Sequence, residues 1–397
     1  MILTKTINCV IITILQLFVQ LKGEYSMKKK LGLLLALVMA VLVIPCATLT
    51  SCNAPTSSAP QSIEGKTLSI LGASMSTFEG TSNGAAADTT NSTIRNNKKY
   101  YPNTTVRDVT LTDTWWMQAC QDFGLRLLVN NSWSGSALLN ERNGTPPAYI
   151  DRCVQLHDDT GENAGEEPDI IAVQMGSNDF QYFPETLGNA DINYKKLIRK
   201  KINGDYNYGT PTTSLEAAAI VLHKISVRYP NAEVYYLNIS HRIDGTDELI
   251  RSFNAELKKV VEHFDAHIVE IYDSAITEDS FHTYIGDGKV HPNKLGMDVY
   301  AEAFKRSLLA NTSYVVSTHT VTLNLGFGVS ADYGDSKIVV SGDSYTLNLE
   351  PPTDKVLNVT VTVGELDVTA DVYENGTVTI DSVTDNVTIT VEAVSAS

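Results

Sequence analysis

Ile170-Ile171-Ala172-Val173-Gln174-Met175-Gly176-Ser177-Asn178-Asp179 decides how this chain folds. The near-continuous apolar run is too short for a helix and reads as a strand buried on both faces. A glycine and three small polar residues then end it abruptly. The same arrangement occurs twice upstream. Leu68-Ser69-Ile70-Leu71 runs into Gly72-Ala73-Ser74-Met75-Ser76, and the strand Leu125 to Val129 runs toward Asn131-Ser132-Trp133-Ser134-Gly135-Ser136.

Helical patterns fill the gaps between these strands. Thr112 to Phe123 reads as a helix opened by Asp113 or Thr112 and closed by Gly124, and Ala148 to Leu156 as a second. Ser214 to Arg228 is a third, ending before Pro230, and Glu233 to Leu237 is the fourth strand. Asp247 to Phe264 places Ile250, Phe253, Leu257, Val260 and Phe264 on one helical face. His267 to Ile271 is the fifth strand, and Lys294 to Leu309 the closing helix, with Asn293 as its cap. Strands alternating with helices imply a parallel sheet with right-handed crossovers and helices on both faces. Five such units fit an α/β fold, a flavodoxin-like three-layer α/β/α sandwich. Such sheets bind ligands at the carboxyl ends of their strands. Ser74, Gly135 and Asn178 follow strands one, two and three, so pattern and chemistry select the same edge.

Near Asn311 the texture changes. Thr318 to Ala396 lacks helical periodicity, is rich in Val and Thr, and alternates strictly over Leu357 to Val363. It reads as a small antiparallel all-β domain, an immunoglobulin-like sandwich. From Val315 onward it holds twelve acids against Lys337 and Lys355. That charge predicts a strongly solvated domain rather than a second hydrophobic core. It has no Trp, only Phe327, Tyr333, Tyr345 and Tyr373, so a spacer or interaction role is expected ahead of glycan binding.

The first 51 residues read as a leader. Met27-Lys28-Lys29-Lys30 is a basic n-region and Leu31 to Pro45 an apolar h-region. Leu49-Thr50-Ser51-Cys52 matches a bacterial lipobox, so cleavage before Cys52 and lipid on its thiol are expected. Lys22-Gly23-Glu24 can be encoded by a purine-rich ribosome-binding sequence, which makes Met27 the expected start. The resulting organisation is leader and signal peptide at 1–51, tether at 52–64, α/β domain at 65–312 and β domain at 318–397. Beyond residue 51 the chain holds 25 Lys and Arg against 45 Asp and Glu, a net charge of −20. That balance argues against nucleic acid or an anionic membrane as a bulk partner. Cys120 and Cys153 remain in the body, either as one disulfide or as two buried free thiols. No metal-ligand spacing occurs, so neither metal nor other cofactor is expected.

Four blocks carry the chemistry. Ser74, on a strand-to-helix turn between small neighbours, is the candidate nucleophile. Its N–H, the Gly135 N–H and the Asn178 amide are candidate oxyanion donors. His291, in Asp287-Gly288-Lys289-Val290-His291-Pro292-Asn293, is the candidate base. Each has a plainer reading: a helix-capping serine, a turn glycine, an Asx turn and a surface histidine. Together, and in this order, they favour hydrolysis of an ester through an acyl-enzyme. His241, in Ile239-Ser240-His241-Arg242, is a weaker base candidate, better read as a loop histidine. Trp115, Trp116 and Trp133 read as core or cleft wall.

The chain from about Lys66 to Leu309 resembles an SGNH (GDSL-type) hydrolase, the four lettered residues being Ser74, Gly135, Asn178 and His291. The resemblance implies a three-layer α/β/α fold and metal-free ester hydrolysis, often of acetylated glycans and sometimes of lipids. Two departures stand out. Ala73 occupies the place of the acid in GDS, and Asp287 lies four residues before His291 rather than three. Either Asp287 reaches His291 through a looser turn, or a backbone carbonyl orients the imidazole. The expected protein is therefore an exported, cell-surface or periplasm-facing lipoprotein. It would remove acetyl or other short acyl groups from small molecules or glycans, and touch the membrane only through its lipid. The alternatives are a non-catalytic binding or adhesion lipoprotein with a degenerate hydrolase domain, and a lipid acylhydrolase.

Overall fold

A computed structural model describes residues 61–81, 99–103, 109–142, 144–158, 164–201, 203–332 and 337–395. The leader, Cys52, the tether through residue 60 and Tyr333 lie outside these residues. Five strands form the central sheet: β1 (Thr67–Gly72), β2 (Arg126–Ser132), β3 (Ile170–Gln174), β4 (Glu233–Leu237) and β5 (His267–Val269). Their order is β2-β1-β3-β4-β5 and every neighbouring pair is parallel. The order reverses at β1, which places a crevice at the carboxyl ends of β1 and β3.

Period-two alternation divides the strand residues between two cores. Leu71, Ile171, Val173 and Tyr236 pack on one face against α3 (Ser214–Arg228) and α4 (Asp247–His263), after the short α2 (Ser177–Tyr182). Leu68, Ile70, Ala172, Tyr235 and Val269 pack on the other against α1 (Trp115–Phe123) and α5 (Lys294–Asn311). Burying each such side chain contributes roughly 1.5–3 kcal/mol before entropy is counted. The helix starts follow local chemistry. The side chains of Thr213, Thr246 and Asn293 accept the N–H groups of Glu216, Leu249 and Gly296. The arrangement is an α/β three-layer sandwich carrying a separate all-β C-terminal domain.

Three local readings are corrected. Ala148–Leu156 is not a helix; it holds turns and one 3-10 turn at Arg152–Val154. The carbonyls a helix would use internally are given to side chains instead. Those of Tyr149 and Ile150 accept from Lys224, those of Arg152 and Gln155 from Asn131, and that of Val154 from Tyr229. The first helix starts at Trp115 rather than Thr112, because residues 110–114 close a turn around the Asp113 carboxylate. The fifth strand stops at Val269, because Asn238 Oδ1 takes the N–H groups of Ile271 and Tyr272.

The C-terminal domain comprises β6 (Thr318–Leu325), β7 (Lys337–Val340), β8 (Tyr345–Glu350), β9 (Lys355–Val363), β10 (Thr377–Ile380) and β11 (Val387–Ser395), with shorter flanking strands. One sheet contains β7-β6-β11-β9, the other β10-β8. Neighbours are antiparallel except β6 and β11, the outermost strands in sequence, which run parallel. The domain does own a hydrophobic core, contrary to the reading from charge. Val321, Leu347, Val361, Val378, Ile389 and Val391 are buried between the sheets. Glu350 and Glu392 face outward from β8 and β11, and the other described acids lie in turns, loops and short flanking elements, so high charge and a packed core coexist. Phe327 is fully exposed, whereas Tyr345 is buried.

The two domains meet beside α1 and α5. Val340 joins the core on that face of the α/β domain. Lys305 Nζ lies 2.6 Å from both Asp122 and Glu302, and 4.0 Å from Asp343 of the β domain. Just upstream of β1, the chain pairs with the linker between the domains. Val315 donates its N–H to Gln61 O at 2.8 Å and accepts from Ile63 N at 2.9 Å.

Candidate active site

The turn after β1 is fixed by the two strands beside it. Ser74 opens a 3-10 turn, Ser74–Ser76. Ala73 N–H lies 3.1 Å from the Gln174 carbonyl and 3.3 Å from its side-chain oxygen, which also accepts from Ser76 Oγ at 3.1 Å. Asn130 donates to the Ser76 carbonyl at 2.9 Å from β2. Ala73 itself is buried in the core, so its position is apolar here and Gln174 supplies the local polar anchor.

His291 Nε2 lies 2.8 Å from Ser74 Oγ, and His291 Nδ1 lies 2.5 Å from Asp287 Oδ2. The four-residue spacing closes through Gly288, whose φ of +64° is open to glycine at little cost. Asp287 Oδ1 accepts the N–H groups of Lys289, Val290 and His291 at 2.8, 3.0 and 3.1 Å. One carboxylate oxygen thus builds the turn while the other faces the imidazole. Burial opposes the charge, but His291 and these N–H groups outweigh it and hold the Asp287 carboxyl well below the usual range. The side chain, rather than a backbone carbonyl, orients the ring.

Gly135 lies on the loop after β2, and Asn178 in the first turn of α2, just after β3. Gly135 adopts φ +80°, and a Cβ there would sit 2.7 Å from Arg142 Nη1. Asn178 Nδ2 donates to the Ser136 carbonyl at 2.8 Å, which ties the start of α2 to the loop after β2. Asp179 strengthens the tie. Its buried carboxylate accepts from Leu138 N at 2.7 Å, Leu139 N at 3.0 Å and Ser214 Oγ at 3.1 Å. Burial pushes its pKa up to about 6 against the pull of those donors.

Two residues at this edge escaped the sequence reading. Arg152 is buried and donates to the carbonyls of Gly72 at 2.9 Å and Asn131 at 2.5 Å, and to Ser136 Oγ. Its surroundings in sequence, Asp151-Arg152-Cys153, mark it as no more than an ordinary surface charge. Tyr100 stacks face to face on His291, with ring centres 3.4 Å apart and planes 9° apart. Tyr100-Tyr101-Pro102 belongs to no periodic element, so pattern reading offered no handle on it.

The remaining candidates lie elsewhere. His241 Nδ1 is 3.1 Å from Asp247 and its ring stacks on Tyr272. It borders a hollow of about 510 Å³ shared with Arg242, Asp247, Glu278, Phe281 and His282. Arg242 links that wall to the loop after β3, donating to the Ser177 carbonyl at 2.9 Å and Ser177 Oγ at 2.6 Å. Cys120 and Cys153 are free and buried, and burial pushes both thiols up to about 12. Trp115 and Trp116 are core residues, and Trp133 lies under the Arg152 guanidinium.

Comparison with known proteins gives the following. A family model described as GDSL-like Lipase/Acylhydrolase matches residues 66–308. A solved structure described as a GDSL-like lipase, from Bacteroides ovatus, is 25% identical, covering 62% of this chain and 100% of its own, with a TM-score of 0.43. A second, from Bacteroides uniformis, is 21% identical over 62% and 97%, also at 0.43. The psychrotrophic esterase EstA from Pseudoalteromonas sp. is 16% identical over 62% and 100%, at 0.35. No curated protein matches this chain. With the family model spanning the whole α/β domain, the chain belongs to the GDSL-like lipase/acylhydrolase family.

Proposed function

We propose that this hydrolase removes acetyl or other short acyl groups from glycans through an acyl-enzyme on Ser74. The observation that carries this reading is the continuous relay Ser74 Oγ, His291, Asp287 at 2.8 and 2.5 Å. Ser74 Oγ attacks the ester carbonyl carbon and its proton passes to His291 Nε2. The N–H groups of Ser74 and Gly135 and the Asn178 amide receive the oxyanion. The carbon–oxygen bond to the sugar then breaks, and the alkoxide takes the proton back from His291. Water enters with His291 again as base, and the acid is released as Ser74 recovers its proton. Asp287 stays ionised and holds the imidazole tautomer that presents Nε2 to Ser74.

Export as a Cys52 lipoprotein, with the β domain as an immunoglobulin-like spacer, completes the proposal. The test is hydrolysis of a chromogenic acetyl ester and of acetylated oligosaccharides by the mature protein beside Ser74→Ala. Activity lost in the variant, with a serine-directed phosphonate attached to Ser74 in the parent, is expected. Undiminished turnover in Ser74→Ala would overturn the mechanism.

A further inference from the structure

We infer that Tyr100 is a positioning residue of this reaction, binding the three relay residues into one unit and backing the imidazole as it becomes charged. The inference rests on the acyl-enzyme reading above. Tyr100 reaches each member of the relay by a different group. Its ring covers one face of His291 at 3.4 Å between centres. Its hydroxyl donates to Asp287 Oδ2 at 3.3 Å, the same oxygen that faces His291 Nδ1. Its backbone N–H donates to Thr77 Oγ1 at 2.7 Å, and that hydroxyl donates to the Ser74 carbonyl at 2.8 Å.

The neighbouring residue makes the placement rigid. Tyr101 is buried, packs edge-on to Tyr100 at 5.0 Å, and donates its hydroxyl to the Pro292 carbonyl at 2.7 Å. Tyr100 is thereby held between the Ser74 turn and the His291 turn, which are otherwise 217 residues apart in sequence. Burial and the Asp287 charge push the Tyr100 phenol above its ordinary range, so it remains a hydrogen-bond donor. An aromatic face attracts a cation more than a neutral ring. The contact therefore strengthens when His291 takes the Ser74 proton, which makes it a contribution to the transition state rather than to substrate binding.

The test compares Tyr100→Phe, which keeps the face and loses the hydroxyl, with Tyr100→Met, which keeps bulk and loses the face. Tyr100→Met is expected to lower kcat about 10-fold with KM within about threefold. Tyr100→Phe is expected to restore kcat to within about threefold of the parent, its loss being one long hydrogen bond. Should Tyr100→Met melt early, Tyr100→Leu repeats the arm without an aromatic face. Equal kcat in the Met (or Leu) and parent proteins would overturn the inference. So would equal loss in the Phe and Met variants with Tm lowered in both, which marks a purely structural role. Ser74→Ala separates the two claims. If it is inactive while Tyr100→Met is not impaired, only the Tyr100 inference fails; if it retains full turnover, the acyl-enzyme reading fails first.

Discussion

Arg152 donates to the Gly72 carbonyl at 2.9 Å, setting a buried guanidinium two residues before Ser74. Its other oxygen partners, Asn131 O and Ser136 Oγ, are also neutral. Burial lowers its pKa to about 9. The charge is tolerated because it closes the strand ends β1 and β2 and the Gly135 loop onto one another. Arg152→Met should leave those oxygens unsatisfied and cost about 2–4 kcal/mol, read by urea denaturation. Esterase activity should fall with it, since two elements of the site lose a common anchor.

Asp287 separates turn from chemistry by substitution. Asp287→Asn keeps an oxygen for the three N–H groups but removes the charge facing His291. It should retain its fold and lose about 10²- to 10⁴-fold in kcat. Asp287→Ala should lose similar activity and also melt earlier. The depressed carboxyl stabilises the fold above its unfolded pKa, near 4. That stability is lost as pH falls through the lower folded value, so the gap in Tm between parent and Asp287→Asn should shrink in strong acid.

The oxyanion side can be probed at two positions. Asn178→Ala should lower kcat about 10²- to 10³-fold with little change in KM. It also frees the Ser136 carbonyl, so a modest loss of Tm should accompany it. Gly135→Ala meets both a positive φ and Arg142, and should cost about 1–2 kcal/mol along with activity. An unchanged kcat in Asn178→Ala would remove that side chain from the proposed mechanism.

The domain junction should respond to pH. Burial, then the charge of Asp122, pushes the Asp343 carboxyl up to about 7, with Lys305 opposing and Glu302 reinforcing the shift. A raised folded pKa favours the fold below the unfolded value near 4, and that contribution is lost as pH rises through about 7. Tm should therefore fall between pH 5 and 8 in the parent. Asp343→Asn should flatten that slope, as scanning calorimetry across the range would reveal.

The sheet was legible because its strands and helices differ in period and length. Ile170–Gln174, Ser214–Arg228 and Glu233–Leu237 appear with the bounds read from sequence. The blocks around Ser74 and Asn178 were legible because polar residues clustered where apolar strands stopped, and that around His291 because it stands just ahead of the capped closing helix. Ala148–Leu156 misled because its apolar spacing serves burial in a turn, whose carbonyls are claimed by Lys224, Asn131 and Tyr229. Arg152 and Tyr100 work through partners at least 16 residues away in sequence, a relationship no local pattern carries. The β domain's charge concealed its core, because net charge records composition and not that most of the acids sit between the strands rather than on them.

The pairing of Gln61–Ile63 with Val315 has a mechanical consequence. The described chain begins at Gln61 beside the segment where α5 hands over to the β domain. Tension applied from that side is met first by two backbone bonds at Val315, before it reaches β1 and the serine at its end. Because β6 and β11 run parallel, β11 starts beside the beginning of β6 and runs on past its end. A load drawn between Gln61 and Ser395 would therefore pass through Val315 and along β6 and β11 before it strains the sheet that carries Ser74.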